Sequence, residues 1–162
     1  MIEIIASSLS DTHQTAESVA EIVKSGDLIL LVGDLGAGKT AFTQGFGASL
    51  GVKEAITSPT FTLARTYQGT LEIHHLDVYR IDQIEEVRDL ALPELFEGHS
   101  VTLIEWGDQI ISALPKDHLE ISFEYGEADS ARVITISANG SSWNSRMPDL
   151  IQKLEIKGLS KC

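Results

Sequence analysis

Cysteine is almost absent from this 162-residue sequence: Cys162, the last residue, is the only one. That excludes a disulfide framework and a cysteine-built zinc site, and the composition suits the cytoplasm. No apolar run is long enough to span a bilayer, so no membrane association is expected. The start, "MIEIIASSLSD", carries Glu3, lacks a basic n-region and is too short in apolar residues for a signal peptide. Basic residues are scarce as well, 12 against 24 acids, for a net charge of −12. Such a surface repels phosphate backbones, so tight autonomous binding of nucleic acid is not expected. The acidity serves either solubility or attraction to a basic partner protein. There is no internal repeat and no low-complexity linker. With 43% apolar residues, the chain is expected to form one domain over residues 1–162.

The chemistry concentrates in "LILLVGDLGAGKT", residues 28–40. Gly33, four residues, then Gly38-Lys39-Thr40 is G-x-x-x-x-G-K-[ST], the phosphate-binding loop. Gly33, Gly36 and Gly38 let the backbone take positive φ and approach a ligand closely. Successive N–H groups then form an anion-binding nest, reinforced by the N-terminus of the next helix. Lys39 is expected to reach the β and γ phosphates, and the Thr40 hydroxyl to ligate Mg²⁺. The competing reading is a flexible glycine turn with an exposed lysine. Context argues against it. "DLILLV" is the apolar run of a strand buried on both faces, and "KTAFTQGFGASLG" places Phe42, Phe46 and Leu50 at helical spacing before Gly51.

Around this unit the pattern predicts a strand over 2–5, then a helix capped by Ser10 or Asp11 and ended by Gly26. "TFTLART" and "TLEIHHLDV" flank "YQG" as a hairpin. "DQIEEVRDL" opens with a capping box from Asp82 to Glu85, and a short helix follows Pro93. "VTLIEW" is a second buried strand; "HLEISFEYG" and "ARVITISANG" form a closing pair, followed by a helix around Met147 to Leu154. Helices alternating with strands near the loop, and hairpins elsewhere, predict an α/β fold with a mixed parallel and antiparallel sheet.

A phosphate loop needs an acid for its Mg²⁺ at the end of a neighbouring apolar strand, and Glu105 stands there where Asp is usual. Otherwise Glu105 is a strand-end carboxylate facing solvent. Trp106 beside it is either core or the lining of a nucleotide or partner surface. In "HHLDVYR", His75, Asp77 and Tyr79 share a strand face if Leu76 and Val78 point inward. Asp77 then positions a water or supports Mg²⁺, and Arg80 touches a phosphate or a partner; the alternative is a polar sheet face with a His–Asp hydrogen bond. "TSPT", Thr57 to Thr60, is either a switch loop or a simple turn.

Together, "GDLGAGKT", "SPTFTL", "HHLDVYR" and "LIEWGD", in this order, resemble the TsaE family (formerly YjeE) from about Ser10 to Arg132. That family comprises small bacterial ATPases required for N6-threonylcarbamoyladenosine in tRNA. The resemblance implies a three-layer fold like that of other phosphate-loop NTPases, with ATP and Mg²⁺ as ligands. It implies that Leu35, Gly36, Ala37, Gly38, Lys39 and Thr40 wrap the phosphates, that Thr40 and Glu105 hold the metal, and that Asp77 serves hydrolysis. Thr57 to Thr60 would be the mobile loop beside the γ-phosphate, with Ser10 and Arg132 near the adenosine. The implied partner is the TsaB–TsaD complex, which transfers the threonylcarbamoyl group to adenosine 37 of tRNAs reading codons that begin with A; tRNA would be met only through that complex. Val78 departs from the leucine of many relatives, and the stretch beyond Asn139 matches nothing useful.

Two other functions share the loop. A small-molecule kinase needs a lid and several arginines, and only Arg65, Arg80, Arg88, Arg132 and Arg146 exist here. A nucleotide-gated binding module needs neither, and would show negligible turnover.

Overall fold

The computed structural model describes residues 1–59, 64–79, 94 and 96–159. In chain order the elements are β1 (Ile2–Ala6), α1 (Leu9–Ala20), β2 (Leu28–Gly33), α2 (Lys39–Ser49), β3 (Ala64–Tyr67), β4 (Glu72–Asp77) and β5 (Ser100–Glu105). A 3₁₀ segment (Gly107–Ala113), β6 (His118–Tyr125), β7 (Arg132–Asn139) and α3 (Ser141–Ile156) complete them. The strands form one sheet in the order β1-β7-β6-β2-β5-β4-β3. β6, β2, β5 and β4 run parallel, whereas β7, β1 and β3 each pair antiparallel with their neighbours. The mixed α/β sheet expected from the pattern is the one observed.

β2 sits at the centre because its side chains are apolar on both faces. Ile29 and Leu31 enter the core beneath the helices, with Ala16 and Val19 of α1, Phe42 and Phe46 of α2, and Trp143 and Leu150 of α3. Leu28 and Leu30 point the other way, toward Leu76, Ile104 and, from the 3₁₀ segment, Ile110. All four β2 residues are at most 1% exposed. The sheet therefore lies between a helical layer and a thinner second one.

Several boundaries differ from the pattern. α1 starts earlier than expected, because Ser8 is the cap: its hydroxyl accepts from the Asp11 N–H at 3.2 Å while the Asp11 carboxylate accepts from the Ser7 N–H at 2.9 Å. Asp11 is thus the reciprocal partner of the cap. The helix ends at Ala20, and Gly26, with φ +89°, serves the turn into β2 instead. Gly51 does end α2: at φ +83° it lets its own N–H reach the Ala48 carbonyl and that of Val52 the Gly47 carbonyl. α3 begins at Ser141, well before Met147, and continues through Pro148. The hairpin is present as β3 and β4, with Ala64 opposite Leu76. The first residues of its first arm, the capping box at Asp82 and the helix after Pro93 lie outside the described residues. Among the described residues, no helix is long and apolar enough to cross a membrane.

Candidate functional site

The parallel register brings the strand ends to one place. Leu31 of β2 lies opposite Glu105 of β5, and Glu105 lies opposite Asp77 of β4. The loop from Gly33 to Gly38 closes over these ends and enters α2, with Gly38 at φ +121° just before the helix. That conformation is open to glycine and strained for other residues. The result is a cavity of about 400 Å³ lined by Leu35, Gly36, Gly38, Lys39, Thr40, Ala41, Ser58, Asp77, Glu105 and Trp106. A crevice at the carboxyl ends of parallel strands is where this sheet architecture binds its ligands.

Lys39 is not the exposed lysine of a slack turn. It is 6% exposed, and its ammonium donates to the Gly33 carbonyl and, at 2.9 Å, to that of Asp34. The Trp106 ring covers it at 4.3 Å. Burial lowers the Lys39 pKa, while the charges of Glu105, Asp77, Asp34 and Asp108 act in the opposite direction. An anion in the cavity would give this desolvated ammonium a partner.

Glu105 is 2% exposed, so the reading of a solvated strand end fails. Its Oε1 lies 3.4 Å from the Thr40 hydroxyl, which donates to it. Its Oε2 lies 3.2 Å from Nε2 of His75, a residue with no exposed surface. The two atoms are close but out of line for a hydrogen bond, and both lack a hydrogen-bond partner. Asp77 is 5% exposed, and its Oδ1 accepts from the Tyr79 N–H at 2.9 Å. The expected polar sheet face is therefore a buried one, and the histidine neighbours Glu105 rather than pairing with Asp77. Trp106, which sequence alone left as core or lining, is both: it packs against Leu30's side of the core and lines the cavity. Its φ of +64° is strained for a bulky residue and sets the ring on Lys39 and, 4.8 Å away, on Tyr79.

Lys39, Thr40, Asp77, Glu105, Leu35, Gly36 and Gly38 thus meet at one cavity, and Gly33 supplies a carbonyl to Lys39. Ser58 of the "TSPT" stretch joins them, Thr57 donates its N–H to the Tyr67 hydroxyl at 3.4 Å, and Thr60 lies outside the described residues, as does Arg80. Ala37 and Arg132 are joined, since Nε of Arg132 donates to the Ala37 carbonyl at 3.1 Å. Ser10 is not at this cavity; it borders a separate depression with His13, Gln14 and Gly45. His75 and Tyr125, whose hydroxyl donates to the Leu35 carbonyl at 2.7 Å, were missed as site residues. Their contacts are tertiary: His75 lies on a diagonal from Glu105, and Tyr125 reaches the loop from the end of β6.

The donor set fits a polyphosphate accompanied by Mg²⁺. Asp77 and Glu105 would repel a bare polyphosphate, and a divalent cation between them and the phosphates turns repulsion into coordination. Glu105 Oε2, beside His75, is a buried carboxylate oxygen without a hydrogen-bond partner, while its Oε1 takes the Thr40 hydroxyl. Among the described residues no group of three or more His, Cys, Asp or Glu is placed to hold a metal. Mg²⁺ at a phosphate site needs none, because it keeps waters and takes ligands from the phosphates.

Comparison with known proteins agrees with this fold. A family model described as threonylcarbamoyl adenosine biosynthesis protein TsaE matches residues 6–134. The tRNA threonylcarbamoyladenosine biosynthesis protein TsaE of Bacillus subtilis is 40% identical over 141 residues, covering 86% of this chain and 87% of the relative. That of Treponema pallidum is 39% identical over 133 residues, 82% of this chain and 98% of the relative. The crystal structure of Bacillus subtilis YdiB superposes with a TM-score of 0.81 at 34% identity, over 94% of this chain and 97% of that one. With the sheet, the loop and the family match in agreement, the chain belongs to the TsaE family.

Proposed function

We propose that this chain binds ATP with Mg²⁺, hydrolyses it, and supports formation of N6-threonylcarbamoyladenosine at position 37 of tRNA by acting on a TsaB–TsaD complex in the cytoplasm. The observation that supports it most is the convergence of Lys39, Thr40, Asp77 and Glu105 on one cavity at the phosphate-binding loop. Lys39 and the N–H groups that open α2 bind the phosphate oxygens. Thr40 and Glu105 would hold Mg²⁺, which when bound neutralises charge on the β and γ phosphates. Asp77 would orient the attacking water, and Ser58, in the lining of the cavity, would sense the γ-phosphate. Trp106, with Tyr79 packed against its ring, walls the side of the cavity and covers the Lys39 ammonium.

The partner assignment rests on charge together with the resemblance. A chain carrying −12 is disfavoured from holding tRNA by itself, which supports a protein partner as its route to tRNA. The test mixes purified chain with TsaB–TsaD, varies the nucleotide, and follows complex formation and phosphate release. Nucleotide-dependent association and faster phosphate release are expected, with Lys39→Ala losing both. Partner-independent phosphate release, transfer of phosphate to a small acceptor, or tight tRNA binding by the isolated chain at physiological salt would refute the proposal.

A further inference from the structure

The phosphate-binding loop is held from behind as well as from within. Tyr125 ends β6 and Arg132 begins β7, and the two are directly opposite in the antiparallel register. The Tyr125 hydroxyl donates to the Leu35 carbonyl at 2.7 Å. Arg132 donates through Nε to the Ala37 carbonyl at 3.1 Å and through Nη2 to that of Gly36 at 3.4 Å. The guanidinium also lies 4.7 Å above the Tyr125 ring, and its Nη1 is fixed by the Asp129 and Ala131 carbonyls, each at 2.7 Å. Three consecutive loop carbonyls are thus drawn to one side by a single cross-strand pair.

In a trans peptide the carbonyl of one residue and the N–H of the next point in opposite directions. A carbonyl of Leu35 turned toward Tyr125 therefore aims the Gly36 N–H away from β6, and a carbonyl of Ala37 turned toward Arg132 does the same for Gly38. Both glycines line the cavity. The intervening Ala37 N–H is already used, donating to the Asp34 carbonyl at 3.1 Å. We infer that Tyr125, with Arg132, is a positioning residue that presets the loop's N–H groups for phosphate, acting through the loop rather than by touching the nucleoside. The inference rests on the nucleotide-binding reading above. It differs from the adenosine role that family resemblance implies for Arg132.

Tyr125→Phe removes only the hydroxyl from a half-exposed ring, so the fold and the stack on Arg132 survive. Calorimetry would measure Mg-ATP and Mg-tripolyphosphate (no nucleoside) binding to the wild type, Tyr125→Phe and Tyr125→Leu, with melting temperatures recorded alongside. Losing one preorganising hydrogen bond should weaken both ligands by a similar factor, about three- to tenfold, at an unchanged melting temperature in the Phe variant. Tyr125→Leu, which also loses the stack, should weaken both further. Equal wild-type and Tyr125→Phe affinities would overturn the inference, as would weakening of ATP alone, which would place Tyr125 against the nucleoside. A wild-type chain that binds neither ligand would refute the nucleotide reading itself.

Discussion

Removing the guanidinium of Arg146 should cost this protein more stability than any change at the cavity. Arg146 on α3 and Asp27, in the turn before β2, meet through two parallel bonds of 2.6 and 2.9 Å, with side chains only 8% and 10% exposed. The same guanidinium donates to the Ile22 carbonyl at 3.0 Å, to the Ser142 carbonyl at 3.1 Å, and stacks 3.9 Å over Trp143. Arg146→Met keeps much of the aliphatic volume but leaves the Asp27 carboxylate buried with its charge unpaired. Breaking one side of a buried pair costs about 3–5 kcal/mol. For a domain of this size that is a fall of about 6–20 °C in melting temperature. Urea unfolding would measure it, and the double variant Asp27→Asn with Arg146→Met should recover about 1–3 kcal/mol relative to the sum of the singles. Arg146→Lys should recover little, because an ammonium cannot make the two-pronged contact. A loss below about 1 kcal/mol for Arg146→Met, or strict additivity in the double variant, would refute this account of a joint between α3 and the start of β2.

The two cavity acids should separate kinetically. Glu105→Ala is expected to weaken Mg²⁺-dependent nucleotide binding by about ten- to a hundredfold, whereas Asp77→Ala should lower kcat by about a hundredfold with little change in affinity; near-wild-type values for both would refute their assignment. Gly45→Ala should destabilise the fold by about 1–3 kcal/mol in urea without altering nucleotide affinity, because a Cβ there would lie 2.8 Å from Cα of His13 and force α1 away from α2.

The unit of β2, loop and α2 was legible because every signal in it is local. An apolar run, glycines at the turn, phenylalanines one helical turn apart and a glycine stop all act within a few residues of one another. The neighbours of β2 were not legible, since pairing with β6 and β5 depends on distant residues. His75 shows the consequence. Strand alternation correctly put it on the same face as Asp77, and that face suggested a hydrogen bond between them. Yet β4 is covered on both faces, and His75 stands opposite Leu103 of β5, one diagonal from Glu105. The start of α3 was hidden for a different reason. Gly140, two serines and Asn144 read locally as a loop, while burial of Trp143, Leu150 and Leu154 and the bonds of Arg146 hold a helix in place from Ser141.

An anion site in a chain of net charge −12 is no contradiction once distance is considered. At physiological ionic strength surface charges beyond about 8 Å are largely screened, so the cavity is governed by its own lining. That lining pairs the N–H groups at the start of α2 and one desolvated ammonium with the carboxylates of Asp77 and Glu105. Inorganic anions alone gain the first and are repelled by the second. A polyphosphate with a divalent cation satisfies both. On the proposed reading, the acids would act as a filter for phosphate that arrives with its metal, while the acidic surface would disfavour extended nucleic acid. The same charges that make autonomous tRNA binding unfavourable are compatible with a small site for a polyphosphate accompanied by its cation.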